Sequence, residues 1–225
     1  VRHGFKDYYV YAFFRKVPLG TQALLLIAMI ILIAKFRRLK ILSNELFLIV
    51  PPLIIVTFFS LFSKSQIGIR HVLPAFPFLF VFISKIFNFG GIIRSRVVKA
   101  VVVIMSLWVV LSQLSYYPVY IAYFNESVGN RLNAYKHLAD SNIDFGQSRG
   151  YVERYIRLNS RNRKIIHVCP APGQKGIGIV GINDLLGVTV EPDRYKWLRD
   201  NYEPIGHLGF SYLIFDLNSP GKKVI

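Results

Sequence analysis

The chain is poor in cysteine, with Cys169 alone, and poor in acid, with 12 Asp and Glu against 28 Lys and Arg. A single cysteine excludes a disulfide within the chain, and its place in the apolar run 165–169 suits a small buried hydrophobe better than a nucleophile. His167 and Cys169 alternate along one face of that run, but with no second pair nearby they offer too few ligands for zinc. The sequence opens on Val1 without an initiator Met. Residues 1–11 are charged and aromatic, with none of the n-region, h-region and cleavage site of a secretory signal. The expectation is a piece of a longer protein. Also missing are an internal repeat, a low-complexity tract and, in the Gly-rich stretch 171–181, the GxxxxGK[ST] order of a nucleotide phosphate loop.

What is abundant is apolar residue, 53% of the chain, with a mean hydropathy of +0.40. A soluble domain of 225 residues rarely carries so much, so part of it should face lipid. The net charge of +16 would suit nucleic acid if it formed a basic face on a soluble domain. It does not. Residues 1–119 hold 14 Lys and Arg against two acids, Asp7 and Glu45, whereas residues 120–225 hold 14 against 10. The excess flanks the apolar stretches, as in membrane orientation and lipid-phosphate contact, and nucleic acid is not an expected partner.

A helix crossing about 30 Å of hydrocarbon needs roughly 17–25 apolar residues. Four stretches approach that length: residues 17–34, 45–62, 71–86 and 97–117. Pro51, Pro52, Pro74 and Pro77 predict kinks in the middle two. Lys and Arg are retained on the cytoplasmic side, so the loop KFRRLK at 35–40 and the basic junction at 85–99 should be cytoplasmic, with both chain ends outside. Tyr116, Tyr117, Tyr120, Tyr123 and Phe124 would form an aromatic belt at the final exit. The fold class expected is a polytopic α-helical membrane protein of about four transmembrane helices, residues 1–119. A small α/β extracytoplasmic domain, residues 120–225, follows. The location implied is the cell (inner) membrane, with the C-terminal domain periplasmic or extracellular.

In that domain residues 130–139 and 150–158 read as amphipathic helices, 165–169 as a buried strand and 170–181 as a Gly/Pro loop. Residues 193–201 read as a helix and 212–217 as a last strand. The triplet Asn125-Glu126-Ser127 fits the N-glycosylation pattern, which has meaning only in a eukaryotic secretory setting.

Three groups could carry chemistry. Arg70 and His71 stand at the outer end of the third span, where a guanidinium can snorkel to the interface and grip a lipid phosphate. Arg15 and Lys16 precede Val17 and Pro18 at the same membrane face, and two such cationic sites suit an anionic headgroup. Arg70 serves equally well as a plain membrane anchor, His71 as a capping or hydrogen-bonding residue, and ordinary snorkelling anchors are the simpler reading of Arg15 and Lys16. The third group is D-S-N-I-D-F-G-Q, in which Asp140, Asn142, Asp144 and Gln147 could bind a hydroxyl-rich sugar or supply an acid or base. They could equally cap helices and shape a turn. The segment lacks the ligand density of a calcium loop, and no metal or cofactor is expected.

The runs YYVYAFF with KVPLG, GIRHVLPAFPFLFV, YFNESVGN, HLADSNIDFGQ and YKWLRDNYEPIGHLGFSYLIFDL occur in this order along nearly the whole chain. Together they resemble the C-terminal half of bacterial family 39-type glycosyltransferases. These belong to the GT-C superfamily, with protein O-mannosyltransferases and the lipid A aminoarabinose transferase. Val17 stands where Thr is usual and Phe145 where Trp is usual. The resemblance implies transfer of a sugar from a polyprenyl-phosphate-linked donor to an acceptor on the outer face of the membrane. It implies that Lys16 and Arg70 hold the donor phosphate, and that residues 140–147 line the outer cavity or fasten the soluble domain over it. The catalytic carboxylate would lie in a first outer loop that no residue here matches, so this chain alone should be inactive. The rival class is a non-enzymatic membrane anchor for an outer binding or envelope-assembly domain, in which Lys16 and Arg70 are ordinary anchors.

Overall fold

The computed structural model describes residues 6–35, 42–63, 68–88, 95–167 and 170–218. Contacts divide the chain into two compact units, Val1–Ser115 with Phe124–Ser127, and Tyr116–Tyr123 with Val128–Ile225.

The first unit is helical. Helix α1, Tyr8–Lys16, buries Tyr8, Tyr9 and Ala12, and carries Arg15 and Lys16 in its last turn, where cations favour the negative end of the helix dipole. Val17 is extended (ψ 134°), as expected of a residue before proline, and it ends α1. The Gln22 amide donates to the Pro18 carbonyl at 3.1 Å and opens helix α2, Leu19–Lys35. The two helices meet at 111°. Leu24, Ala28 and Ile31 recur at helical spacing along α2 and form a core with Leu48 of helix α3 (Leu42–Leu61), Phe82 and Ile86. Val102 of helix α5, Arg96–Leu114, closes it. Pro51 and Pro52 lie inside α3, which continues past them to Leu61. The remaining helix, Ile69–Phe87, begins as a 3₁₀ turn over Ile69–Ala75 and becomes α4 at Phe76–Ser84.

Two of these helices, Ile69–Phe87 and Arg96–Leu114, have the length and apolar character to cross a membrane, and the bent α1–α2 pair makes a third if taken as one span. The apolar part of α3 is shorter, Leu46–Leu61. The sequence led us to expect four.

The second unit contains a mixed sheet in the order β1-β2-β4-β3. Strand β1 (Ile165–Ile166) runs parallel to β2 (Ile177–Gly181), and β2 pairs antiparallel with β4 (Tyr212–Asp216). Strand β3 (Gly206–Leu208) pairs antiparallel with β4. Three short helices accompany the sheet: α6 (Arg149–Asn159), α7 (Ile182–Leu185) and α8 (Lys196–Asn201). Ile179, Val180, Leu213, Phe215, Leu185 and Leu198 are buried as its core.

Several readings of this region are corrected. The expected loop 170–181 is a loop only to Gly176, because Ile177–Gly181 is a buried central strand. The amphipathic helix expected over 130–139 is a 3₁₀ helix, Arg131–Lys136, capped when the Asn130 side chain accepts from the Leu132 amide. Of the strand expected over 165–169, Ile165 and Ile166 form pairs and His167 is exposed among the described residues, while Val168 and Cys169 lie outside them.

Candidate functional site

At the α1–α2 elbow the backbone turns sharply, and the carbonyls at the end of α1 have no helical donor. Asn125, 1% exposed, supplies them. Its Nδ2 donates to Phe14 O (2.7 Å) and Val17 O (2.6 Å), and its backbone amide donates to Arg15 O (2.9 Å). Its Oδ1 accepts from the amide (3.0 Å) and hydroxyl (2.5 Å) of Ser127. Gln22 Nε2 also donates to Phe14 O and Val17 O, at 3.2 and 2.9 Å. The Arg15 guanidinium is engaged in the same knot, donating to Ser127 O (2.7 Å) and Oγ (3.0 Å). The ammonium of Lys16 lies 4.5 Å from the centre of the Phe124 ring. Asn125 is thus a structural hub, and its buried, doubly donating Nδ2 has no room for a glycan.

Arg70 and His71 open the Ile69–Phe87 helix after Gly68, whose φ of 126° is a conformation glycine adopts without strain. Arg70 is exposed. The His71 ring is packed by Tyr9 of α1 (6.4 Å between centres) and Phe59 of α3 (5.3 Å). Its Nε2 is buried with no hydrogen-bond partner. Phe13 meets Phe76 at 6.3 Å, so α1 runs alongside this helix. Seven residues, about 10 Å of helical rise, separate Tyr9, at His71, from Lys16. The first unit therefore carries Lys16 beyond the Phe76 end of that contact and Arg70 at the His71 end.

In the second unit the segment 140–147 is folded on itself. Asp140 takes a left-handed conformation (φ 62°), which Asp tolerates better than most residues, and its amide donates to Asn183 Oδ1 at 2.7 Å. Asn142 is buried and donates to Ala139 O at 3.1 Å. Gln147 Nε2 donates to Ile143 O (2.8 Å) and Ser211 Oγ (3.3 Å), while its Oε1 accepts from the Phe145 amide (2.6 Å). Asn142 and Gln147 thus hold the loop.

Asp144 differs from them. Burial pushes its carboxyl above the ordinary Asp value, against hydrogen bonds from the Gly146 amide and Ser211 that favour the ionised form, and nearby Asp184 raises it further. Tyr212 is raised too, first by burial and then by Asp144 and Asp184, with Arg149 opposing. Asp184 accepts from Thr189 Oγ1, and one of its oxygens would be 3.4 Å from a Cβ placed on Gly181. Asp144, Asp184 and Tyr212 are one electrostatic cluster, able to accept hydroxyl hydrogens or hold a proton on Asp144. Sequence reasoning found Asp144 but missed Asp184, Ser211 and Tyr212, which lie 40 or more positions away with no local signal. Among the described residues no three His, Cys, Asp or Glu side chains converge as metal ligands.

These sites belong to a mostly helical protein with two or three apolar helices of membrane-spanning length and a small mixed sheet. Compared with family models, curated proteins and solved structures, the chain matches none.

Proposed function

We propose that this chain is part of a membrane glycosyltransferase that moves a sugar from a polyprenyl-phosphate-linked donor to an acceptor on the outer face of the membrane. The motif order that resembles the family 39-type enzymes suggests the reading. The observation that carries it is the orphaned Nε2 of His71 beside the exposed Arg70. A buried polar atom without a partner costs about 1–3 kcal/mol, and a phosphate oxygen arriving next to Arg70 would relieve that cost. Arg70 supplies charge to the leaving phosphate in a site of low dielectric, His71 adds a directional hydrogen bond, and Lys16 supplies a further cation along α1. Asp144, with Asp184 and Tyr212, receives sugar or acceptor hydroxyls on the second unit.

The test is sugar transfer from a polyprenyl-phosphate-linked donor by the full-length protein in membrane vesicles. Arg70→Ala should reduce turnover on the order of 10²–10³-fold with membrane insertion unchanged. His71→Phe keeps the ring packed between Tyr9 and Phe59 and removes only the nitrogens, so it should also lower turnover. Full activity in both variants would leave the two residues as membrane anchors.

A further inference from the structure

We infer that the groove between α5 and the end of the Ile69–Phe87 helix is a binding site for one anionic phospholipid, its headgroup at Arg96 and Lys99 and one acyl chain lying along α5. The groove encloses about 500 Å³. Phe87 forms one side, Val102, which is buried, lies within it, and Val103, Ser106 and Val110 continue along α5. Ser106, small among branched neighbours, leaves a notch in that wall.

Two features select the occupant. Lys99 belongs to the groove at its N-terminal end, and Arg96 sits three residues earlier, hence on the same side of α5. Both are exposed, and among the described residues no acid pairs with either. Nor does the first turn of α5 contain an acidic residue. Two uncompensated cations at the mouth of an apolar trough are complementary to a headgroup of net negative charge with an apolar tail.

The second feature is length. From Lys99 to Val110 is eleven residues, about 16 Å of helical rise, which matches the roughly 15 Å of one leaflet in a hydrocarbon core of about 30 Å. A phospholipid acyl chain fits that depth, whereas a polyprenyl chain is far longer. The site is independent of sugar transfer, because none of its residues belongs to the elbow, the Arg70–His71 corner or the Asp144 cluster.

The test is native mass spectrometry of the full-length protein purified from vesicles of equal phosphatidylglycerol and phosphatidylcholine. Each cation near a headgroup contributes about 1 kcal/mol, so the wild type should retain one phosphatidylglycerol with about 30-fold preference. Lys99→Ala should lower that preference to about fivefold, and Arg96→Ala with Lys99→Ala to about one. Val103→Trp, at an exposed position that tolerates bulk, should expel the bound lipid while leaving the unfolding temperature unchanged. Equal retention of the two lipids by the wild type, displacement of phosphatidylglycerol by added polyprenyl phosphate, or full retention by Val103→Trp would each overturn the assignment.

Discussion

Asn125 shows how one side chain can fix a turn between two helices. Its amide satisfies carbonyls that the end of α1 exposes, and Asn125→Ala removes two buried hydrogen bonds and leaves Gln22 Nε2 as the side-chain donor to both oxygens, a loss of about 1–3 kcal/mol. A clear fall in the unfolding temperature of the detergent-solubilised protein is expected. Asn125→Asp should be worse, because a carboxylate cannot donate to Phe14 O and Val17 O and would be charged in a buried site. His207 makes a second residue-scale prediction. Burial, with Arg131 nearby, holds its pKa below the ordinary His value, and its ring stacks on Phe210 at 4.2 Å. The unfolded state therefore takes up a proton first as pH falls, so stability present above about pH 6.5 is lost on acidification below it. Hydrogen-exchange protection factors in the β3–β4 hairpin, corrected for the intrinsic rate at each pH, should fall below about pH 6.5 in the wild type and stay level in His207→Phe. These roles were poorly legible in the sequence. Asn125-Glu126-Ser127 reads as a glycosylation triplet because the pattern is local, whereas the carbonyls that claim Asn125 lie more than 100 positions away.

At the scale of elements, two glycines decide how segments approach. Gly20 lies where α2 crosses α5; a Cβ there would be 2.6 Å from Met105 O and 2.8 Å from a Val109 methyl. Small residues at such crossings let helices approach closely in membranes. Gly20→Ala should force α2 and α5 apart and destabilise the first unit by about 1–3 kcal/mol, read as a lower unfolding temperature. Gly209 in the β3–β4 turn has a φ of 55°, and a Cβ would be 2.5 Å from Ser148 Oγ. Its carbonyl accepts from Ser148 and Ser211, so the turn is fastened to the loop that presents Asp144. Gly209→Ala therefore incurs about 1–2 kcal/mol for the conformation alone and should loosen that loop. Glycine also explains the main misreading of the sequence. Ile177–Gly181 carries three glycines in or beside it and reads as a loop, but Gly178 faces Leu217 at a distance where a Cβ would sit 3.1 Å away, so the missing side chain is what lets the strand pack. The helices α6 and α8 were legible because their apolar spacing is local.

For the whole molecule, the long apolar runs were legible because hydrophobic length is additive along the chain, and each expected stretch overlaps a helix. The break between α1 and α2 was not, since it depends on Val17 being extended before Pro18 and on distant Asn125. That break leaves α3 to determine how the chain is threaded. If only the bent pair, Ile69–Phe87 and Arg96–Leu114 cross, the two chain ends lie on opposite sides; if α3 crosses as well, they lie on the same side. At 20 residues α3 is about 30 Å long, enough for the hydrocarbon core, and Leu46–Leu61 is apolar. The basic run at 35–40 precedes it, whereas 63–70 holds only Lys64 and Arg70. Positive charge retained in the cytoplasm therefore favours a crossing. In a Cys169→Ser background, single cysteines introduced at Arg38 and at Gln66 should react oppositely with a membrane-impermeant maleimide applied to intact cells, with Gln66 labelled and Arg38 protected. A cysteine at exposed Ser160 should label with Gln66. Equal labelling of Arg38 and Gln66 would make α3 re-entrant; residues after Leu114, two crossings beyond Arg70, would still share the side of Arg70, but that side would be the one that holds the basic run at 35–40, opposite the start of α1.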